Sequence, residues 1–153
     1  MSFLADLVVN PIFVSAFAAW TIAQISKTIT YWFVSGELDW GRLLGSGGMP
    51  SSHAATVCAL LTATGYHYGA SGFEFGFAMV LAFIVMHDAM GIRRQSGNQA
   101  KMINEMMEFL GKMGEKLPVS EKLKEFVGHT PIQVLAGAIT GVATGLVVVN
   151  VLK

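Results

Sequence analysis

Charge is scarce in this chain. Only 13% of its 153 residues are Asp, Glu, Lys or Arg, against roughly a quarter in ordinary globular proteins. A disordered tail and a solvated coiled coil need more charge than this, and an ordinary soluble enzyme seldom has so little. The ten basic residues balance the ten acidic ones, so net charge selects no partner. Cysteine is nearly absent: with Cys58 alone, neither an internal disulfide nor a cysteine-based zinc cluster can form. A basic, aromatic-laced stripe and any groove-reading motif are also missing, which argues against nucleic acid as a partner. The length suits one domain.

What the chain does have is long uncharged runs. Leu7 to Ser26, Leu43 to Phe73 and Ile132 to Leu152 carry no Asp, Glu, Lys or Arg. A shorter run, Phe75 to His87, lies between Glu74 and Asp88. A membrane-crossing helix needs about 20 mostly apolar residues. These runs predict an all-α integral membrane bundle of one domain, residues 1–153, with about four spans near 11–34, 52–69, 72–90 and 130–151. The alternative, a soluble protein with buried core helices, would have to hide uncharged runs of that length from water. Gly137, Gly141 and Gly145 recur four apart on the last run, a pattern that lets membrane helices approach closely. The N-terminal run has Asp6 and no Lys or Arg before Lys27. It therefore lacks the basic start of a signal peptide and reads as a retained span.

Between Ile92 and Gly128 the composition switches. Seven of the ten Lys and Arg lie there: Arg93, Arg94, Lys101, Lys112, Lys116, Lys122 and Lys124. Met102, Ile103, Met106, Met107, Leu110 and Met113 recur at helical spacing. The segment 92–128 reads as a charged, amphipathic cytoplasmic insert lying on the membrane or against the bundle. A plain linker helix with a methionine packing stripe fits the same pattern. Gly114 and Pro118 are expected to break it before a second short helix at about 120–127.

Polar residues gather where spans begin and end. Gly45-Ser46-Gly47-Gly48-Met49-Pro50-Ser51-Ser52-His53 precedes an apolar run. Glycines free the backbone, Pro and Ser suit a helix start, and N–H groups at a helix start attract anions, phosphate above all. His53 falls in the first turn. His129 has the same placement in Gly128-His129-Thr130-Pro131, with Gln133 one turn later. His87-Asp88-Ala89-Met90-Gly91-Ile92-Arg93-Arg94 closes the third run, and a guanidinium fork suits phosphate. Each feature alone is met by a blander reading: a capped glycine turn, a satisfied histidine, an interface arginine.

Together these segments resemble the divergent branch of the type 2 phosphatidic acid phosphatase superfamily, related to vanadium-dependent haloperoxidases. The resemblance rests on GGMPSSHAA (47–55), MHDAMGIRRQSGNQA (86–100) and GHTPIQVLAG (128–137). The superfamily's Pro-Ser-Gly-His motif stands here as Pro50-Ser51-Ser52-His53. The last histidine of its Ser-Arg-x5-His-x3-Asp motif stands as His129, with Gln133 in place of the Asp and Leu123 in place of the Arg. Lys27 is the candidate for the first, Lys-x6-Arg-Pro motif, without the Arg-Pro; Val34 follows seven residues on. Arg42 is a possible substitute for that Arg.

The resemblance implies hydrolysis of a lipid phosphomonoester through a phosphohistidine, with no cofactor and no metal. His129 would be the nucleophile and His53 the acid and base, with Gln133 or Asp88 supporting His129. Lys27, Ser51, Ser52, Arg93 and Arg94 would bind the phosphoryl oxygens, Arg93 in preference to Arg94. Substrates with the required phosphate include phosphatidylglycerophosphate, phosphatidic acid and isoprenyl phosphates. Two other readings stay open: a non-catalytic lipid-phosphate binder or carrier, and a structural membrane subunit whose motifs only cap helices. The partners would be lipid phosphate and membrane lipids, with a homo-oligomer allowed. Nine of the ten Lys and Arg fall on one face of a four-span arrangement. The positive-inside rule then puts the site at the cytoplasmic side, in a bacterial plasma membrane, with both termini outside.

Overall fold

A computed structural model of the protein describes residues 3–38, 40–43, 45, 47–113, 122, 123, 125 and 128–152. Among them the only regular structure is helical: α1 (Phe3–Val8), α2 (Pro11–Ser35), a 3-10 turn (Trp40–Leu43), α3 (Ser52–Tyr68), α4 (Phe73–Met90), α5 (Ile92–Lys112) and α6 (Pro131–Val151). The chain is a membrane helical bundle. Among the described residues, three helical stretches are long and apolar enough to cross a bilayer: α2, the joined α4–α5 and α6. The four expected spans fall on α2, α3, α4 and α6; α3, with 17 residues, is the shortest of these and the most enclosed. α1 was not expected. The short helix expected at about 120–127, and the break at Gly114 and Pro118, lie outside the described residues or in isolated positions among them.

The helix ends follow local chemistry. The Oδ1 of Asn10 accepts the N–H groups of Ile12 and Phe13, and Pro11 starts α2, where its missing N–H costs nothing. Gly36 ends α2 in the left-handed region, at φ 74°. Ser51 caps α3 by accepting the Ala54 N–H.

The core sits around α3, which packs against α2, α4 and α6. Small residues explain how. Ala19, Ala23, Ala55 and Ala59 form one fully buried cluster. On α6, a Cβ at Gly137 would collide with the Ser51 carbonyl and one at Gly141 with the Ala55 carbonyl. Between helices in lipid there is little hydrophobic drive, so close backbone packing carries the association. The exposed side chains are the large ones, such as Phe17, Phe77, Phe83 and Ile139, as lipid contact requires.

α5 is different. It continues α4 past a bend at Gly91, where ψ is −95°, and packs on α4 rather than on the rest of the bundle. Its exposed apolar residues include Ile92, Met102, Ile103, Met106 and Phe109. A second face holds Leu123 and Glu125: Asn104 donates to the Leu123 carbonyl and to Glu125, and accepts the Leu123 N–H.

Candidate active site

The C-terminal half of α2, the start of α3, the α4–α5 joint and the start of α6 meet at one end of the bundle. Lys27 faces inward there and is only 5% exposed. Its Nζ donates to Gln24 Oε1 at 2.9 Å and to Ser52 Oγ at 3.0 Å. Both partners are neutral, and no Asp or Glu pairs with it among the described residues. Gly48, at φ 82°, lies beside the Lys27 stem.

The two histidines expected to act together are adjacent. The rings of His53 and His129 are edge-on, with centroids 5.8 Å apart, close enough for both to reach one phosphate. His129 is 2% exposed and is held by its backbone: its N–H donates to the Ala89 carbonyl at 2.9 Å. This tie fixes the end of α4 against the entry to α6. Gly128 permits it, because a Cβ there would collide with the backbone of Arg93 and Arg94. The Nδ1 atoms of His53 and His129 are buried with no hydrogen-bond partner among the described residues. Burial pushes the His129 pKa below the usual histidine value, the Lys27 charge pushes the same way, and hydrogen bonding from Gln133 and the Gly48 backbone opposes them.

The arginines divide the work differently from expectation. Arg93 Nε donates to Asp88 Oδ2 at 2.8 Å, and its Nη1 lies 3.3 Å from His53 Nε2. Arg94, expected to be the lesser of the two, lines a cavity of about 190 Å³ together with Gly47, Asn98, Glu125, His129 and Gln133. Asp88 thus pairs with Arg93, and no hydrogen bond joins it to His129 among the described residues. Gln133 Oε1 accepts the Thr130 N–H at 3.0 Å, which starts α6. Ser51 differs most from expectation. Its N–H donates to the Gln133 carbonyl and its hydroxyl caps α3, so it joins α3 to α6 and has no N–H left for an anion. Ser52 touches Lys27 directly. The side chain of Arg42 lies outside the described set.

Sequence reasoning passed over Gln24, Asn98 and Glu125. Gln24 carried a usable signal, a polar residue three before Lys27 in an apolar span. Asn98 and Glu125 carried none: the direction of Asn98 depends on the Gly91 bend that aims α5, and that of Glu125 on its hydrogen bond to Asn104.

Two further clefts adjoin this centre. One, of about 190 Å³, runs from Lys27 past Thr30, Tyr31 and Val34 toward the end of α2, bordered by Gly45, Gly47, Gly48 and Met49. The other, of about 250 Å³, is lined by Trp20, Ser52, His53, Thr56, Val57 and Val85.

Comparison with known proteins places the chain in a family. The chain is 37% identical over 151 residues to the uncharacterized membrane protein YuiD of Bacillus subtilis, covering 93% of this chain and 96% of that protein. No solved structure matches. The family model described as the divergent PAP2 family matches residues 8–144, a stretch containing every residue of the site. The protein belongs to the divergent PAP2 family.

Proposed function

We propose that the protein is a membrane lipid phosphatase that hydrolyses a phosphomonoester through a phosphohistidine. One observation carries this reading: a buried lysine with only neutral partners lies beside two adjacent histidines. A buried cation without a counter-charge is costly, and a bound phosphate dianion would supply that charge.

A ring nitrogen of His129 attacks phosphorus, the ester P–O bond breaks, and protonated His53 gives its proton to the leaving oxygen. Water then attacks the phosphohistidine, gives its proton to His53, and inorganic phosphate leaves. Lys27, the N–H groups opening α3 at Ser52, and the two arginines neutralise the charge on the phosphoryl oxygens. Arg93 has to release His53 Nε2 for this step, and Asp88 keeps its guanidinium within reach. Phosphatidylglycerophosphate, phosphatidic acid and isoprenyl phosphates all present such a group. The concentration of Lys and Arg in the loop 35–51 and the insert 92–128 favours a cytoplasmic site in a bacterial plasma membrane.

Phosphate release by the purified protein in EDTA, lost in His129→Ala, is the expected result. Binding of phosphate without turnover would favour a lipid-phosphate binder or carrier. The observation on that side is that Gln133, not a carboxylate, accompanies His129.

A further inference from the structure

We propose that the outer face of α5 is a docking surface for the bilayer itself: its apolar stripe lies in the boundary between headgroups and acyl chains, on the side of the membrane where the site sits. Such a seat exists with or without phosphatase activity.

Met102, Met106, Phe109 and Met113 stand four, three and four residues apart, the spacing of one helix face. They are between 63% and 68% exposed. The opposite face is taken. Gly97, Ala100 and Asn104 are buried there, and Asn104 holds Leu123 and Glu125 through its three hydrogen bonds. Among the described residues, α5 packs on no helix except α4. The bundle therefore leaves the stripe uncovered.

Position, charge and area identify lipid as the cover. α4 passes into α5 at Gly91, so the arm starts at the level where a membrane-crossing helix ends. The Ala89 carbonyl, on the buried side of the joint, accepts the His129 N–H, and Gly128 packs on the backbone of Arg93 and Arg94. A group wedged against one side of a helix bends it toward the other. The wedge comes from the bundle, so α5 is turned away from it, over the surrounding lipid. α5 carries Arg93, Arg94, Lys101 and Lys112 against Glu105 and Glu108, an excess of cations that suits anionic headgroups. Lys101, Glu105, Glu108 and Lys112 pair along one flank, beside the stripe and not on it. Their stems can lift charge to the headgroups while the stripe stays below. The stripe is about 17 Å long and, on a helix about 10 Å across, covers on the order of 200 Å². A stable dimer needs roughly 800 Å² per partner. The stripe alone is too small to hold a second copy, whereas an interfacial helix tethered to a membrane span needs no such area.

Two measurements on the full chain in nanodiscs test this. In the first, a Cys58→Ala background carries one spin-labelled cysteine at a time: Met102→Cys, Met106→Cys or Phe109→Cys on the stripe, and Lys101→Cys, Glu105→Cys or Glu108→Cys on the flank. Collisions with oxygen, which concentrates in lipid, are compared with collisions with a nickel chelate that stays in water. Oxygen should dominate at the three stripe positions and nickel at the three flank positions. Nickel dominating at all six overturns the proposal, because the arm then stands in water. Spin–spin broadening at Met106→Cys that disappears on dilution with unlabelled protein also overturns it, because a second copy is then the cover. The second measurement needs no substitution. A phospholipid with a diazirine near the top of its acyl chain is photolysed with the wild-type protein, and the α4 peptide holding Phe77 and Ile84 serves as the internal control. Label on both that peptide and the one holding Met102 and Met106 supports the seat. Label on α4 with none on α5 overturns it. Neither measurement involves turnover, so the seat and the phosphatase reading stand or fall separately.

Discussion

The site has a buried half and an exposed half, built on different physical terms. Lys27, Gln24, Ser52 and His129 belong to the bundle interior, where helix packing fixes them before any ligand arrives. Arg93 and Asp88 sit at the α4–α5 joint with side chains 46% and 36% exposed, where an ion pair contributes only about 0–1 kcal/mol. Among the described residues the buried half carries a standing cost: a lysine with no carboxylate partner and, at His129, an unpartnered ring nitrogen. The exposed half carries little cost and little rigidity. On the proposed reading, strong phosphate binding would therefore belong to the interior and adjustment to the rim.

Substitutions can break this contrast, beginning with the largest effect. His129→Ala should lower turnover at least about a thousandfold, with helicity retained in circular dichroism. Turnover persisting in that variant would remove the nucleophile from the mechanism. Lys27→Met should weaken phosphate binding by calorimetry about ten- to a hundredfold, matching the roughly 1.5–3 kcal/mol of hydrogen bonds to a charged group. The phosphate-free protein should melt no lower than wild type, because an apolar side chain replaces a buried cation. A lower melting temperature with unchanged phosphate affinity would make Lys27 a structural residue.

At the rim the effects shrink. Arg93→Lys should cost about tenfold in kcat/KM through loss of the planar fork. Asp88→Asn should cost only a few-fold, because it removes an exposed partner worth at most about 1 kcal/mol. A loss from Asp88→Asn as large as that from Lys27→Met would erase the distinction between the halves. The smallest effect is in pH. Burial holds His129 below its ordinary pKa, so the unfolded chain binds the extra proton first. Stability should fall as pH drops below about 6.5 toward the folded value. His129→Gln should flatten that slope in thermal melts, and added phosphate should reduce it in the wild type by favouring the imidazolium.

The helices were legible because they are governed by local rules: uncharged runs, Pro11 and Pro131 at helix starts, Gly36 at a helix end. His53 and His129 were legible as a pair because each sits at a helix start, and α3 and α6 leave the same end of the bundle. Which arginine faces the cavity was not legible. Arg93 and Arg94 are neighbours, and their directions are set by the Gly91 bend and by the contact with Gly128, neither of which has a local sequence signal. Ser51 shows the same limit. A serine before a helix suggests free N–H groups, and only the arrival of Gln133 from α6 reveals that its own is taken. The enclosure of α3 depends on three partner helices at once, though the glycine spacing on α6 hinted at one of them.

The contact between Gly128 and the backbone of Arg93 and Arg94 has a mechanical consequence. α5 is 21 residues long, an arm of about 30 Å, and its root presses on the residue just before His129. Any tilt of that arm about its root would bear on the Gly128 backbone, beside the hydrogen bond that ties His129 to Ala89. α5 and the entry to α6 thereby share one backbone contact, with the long end of the helix away from it and the short end next to the histidine proposed to react.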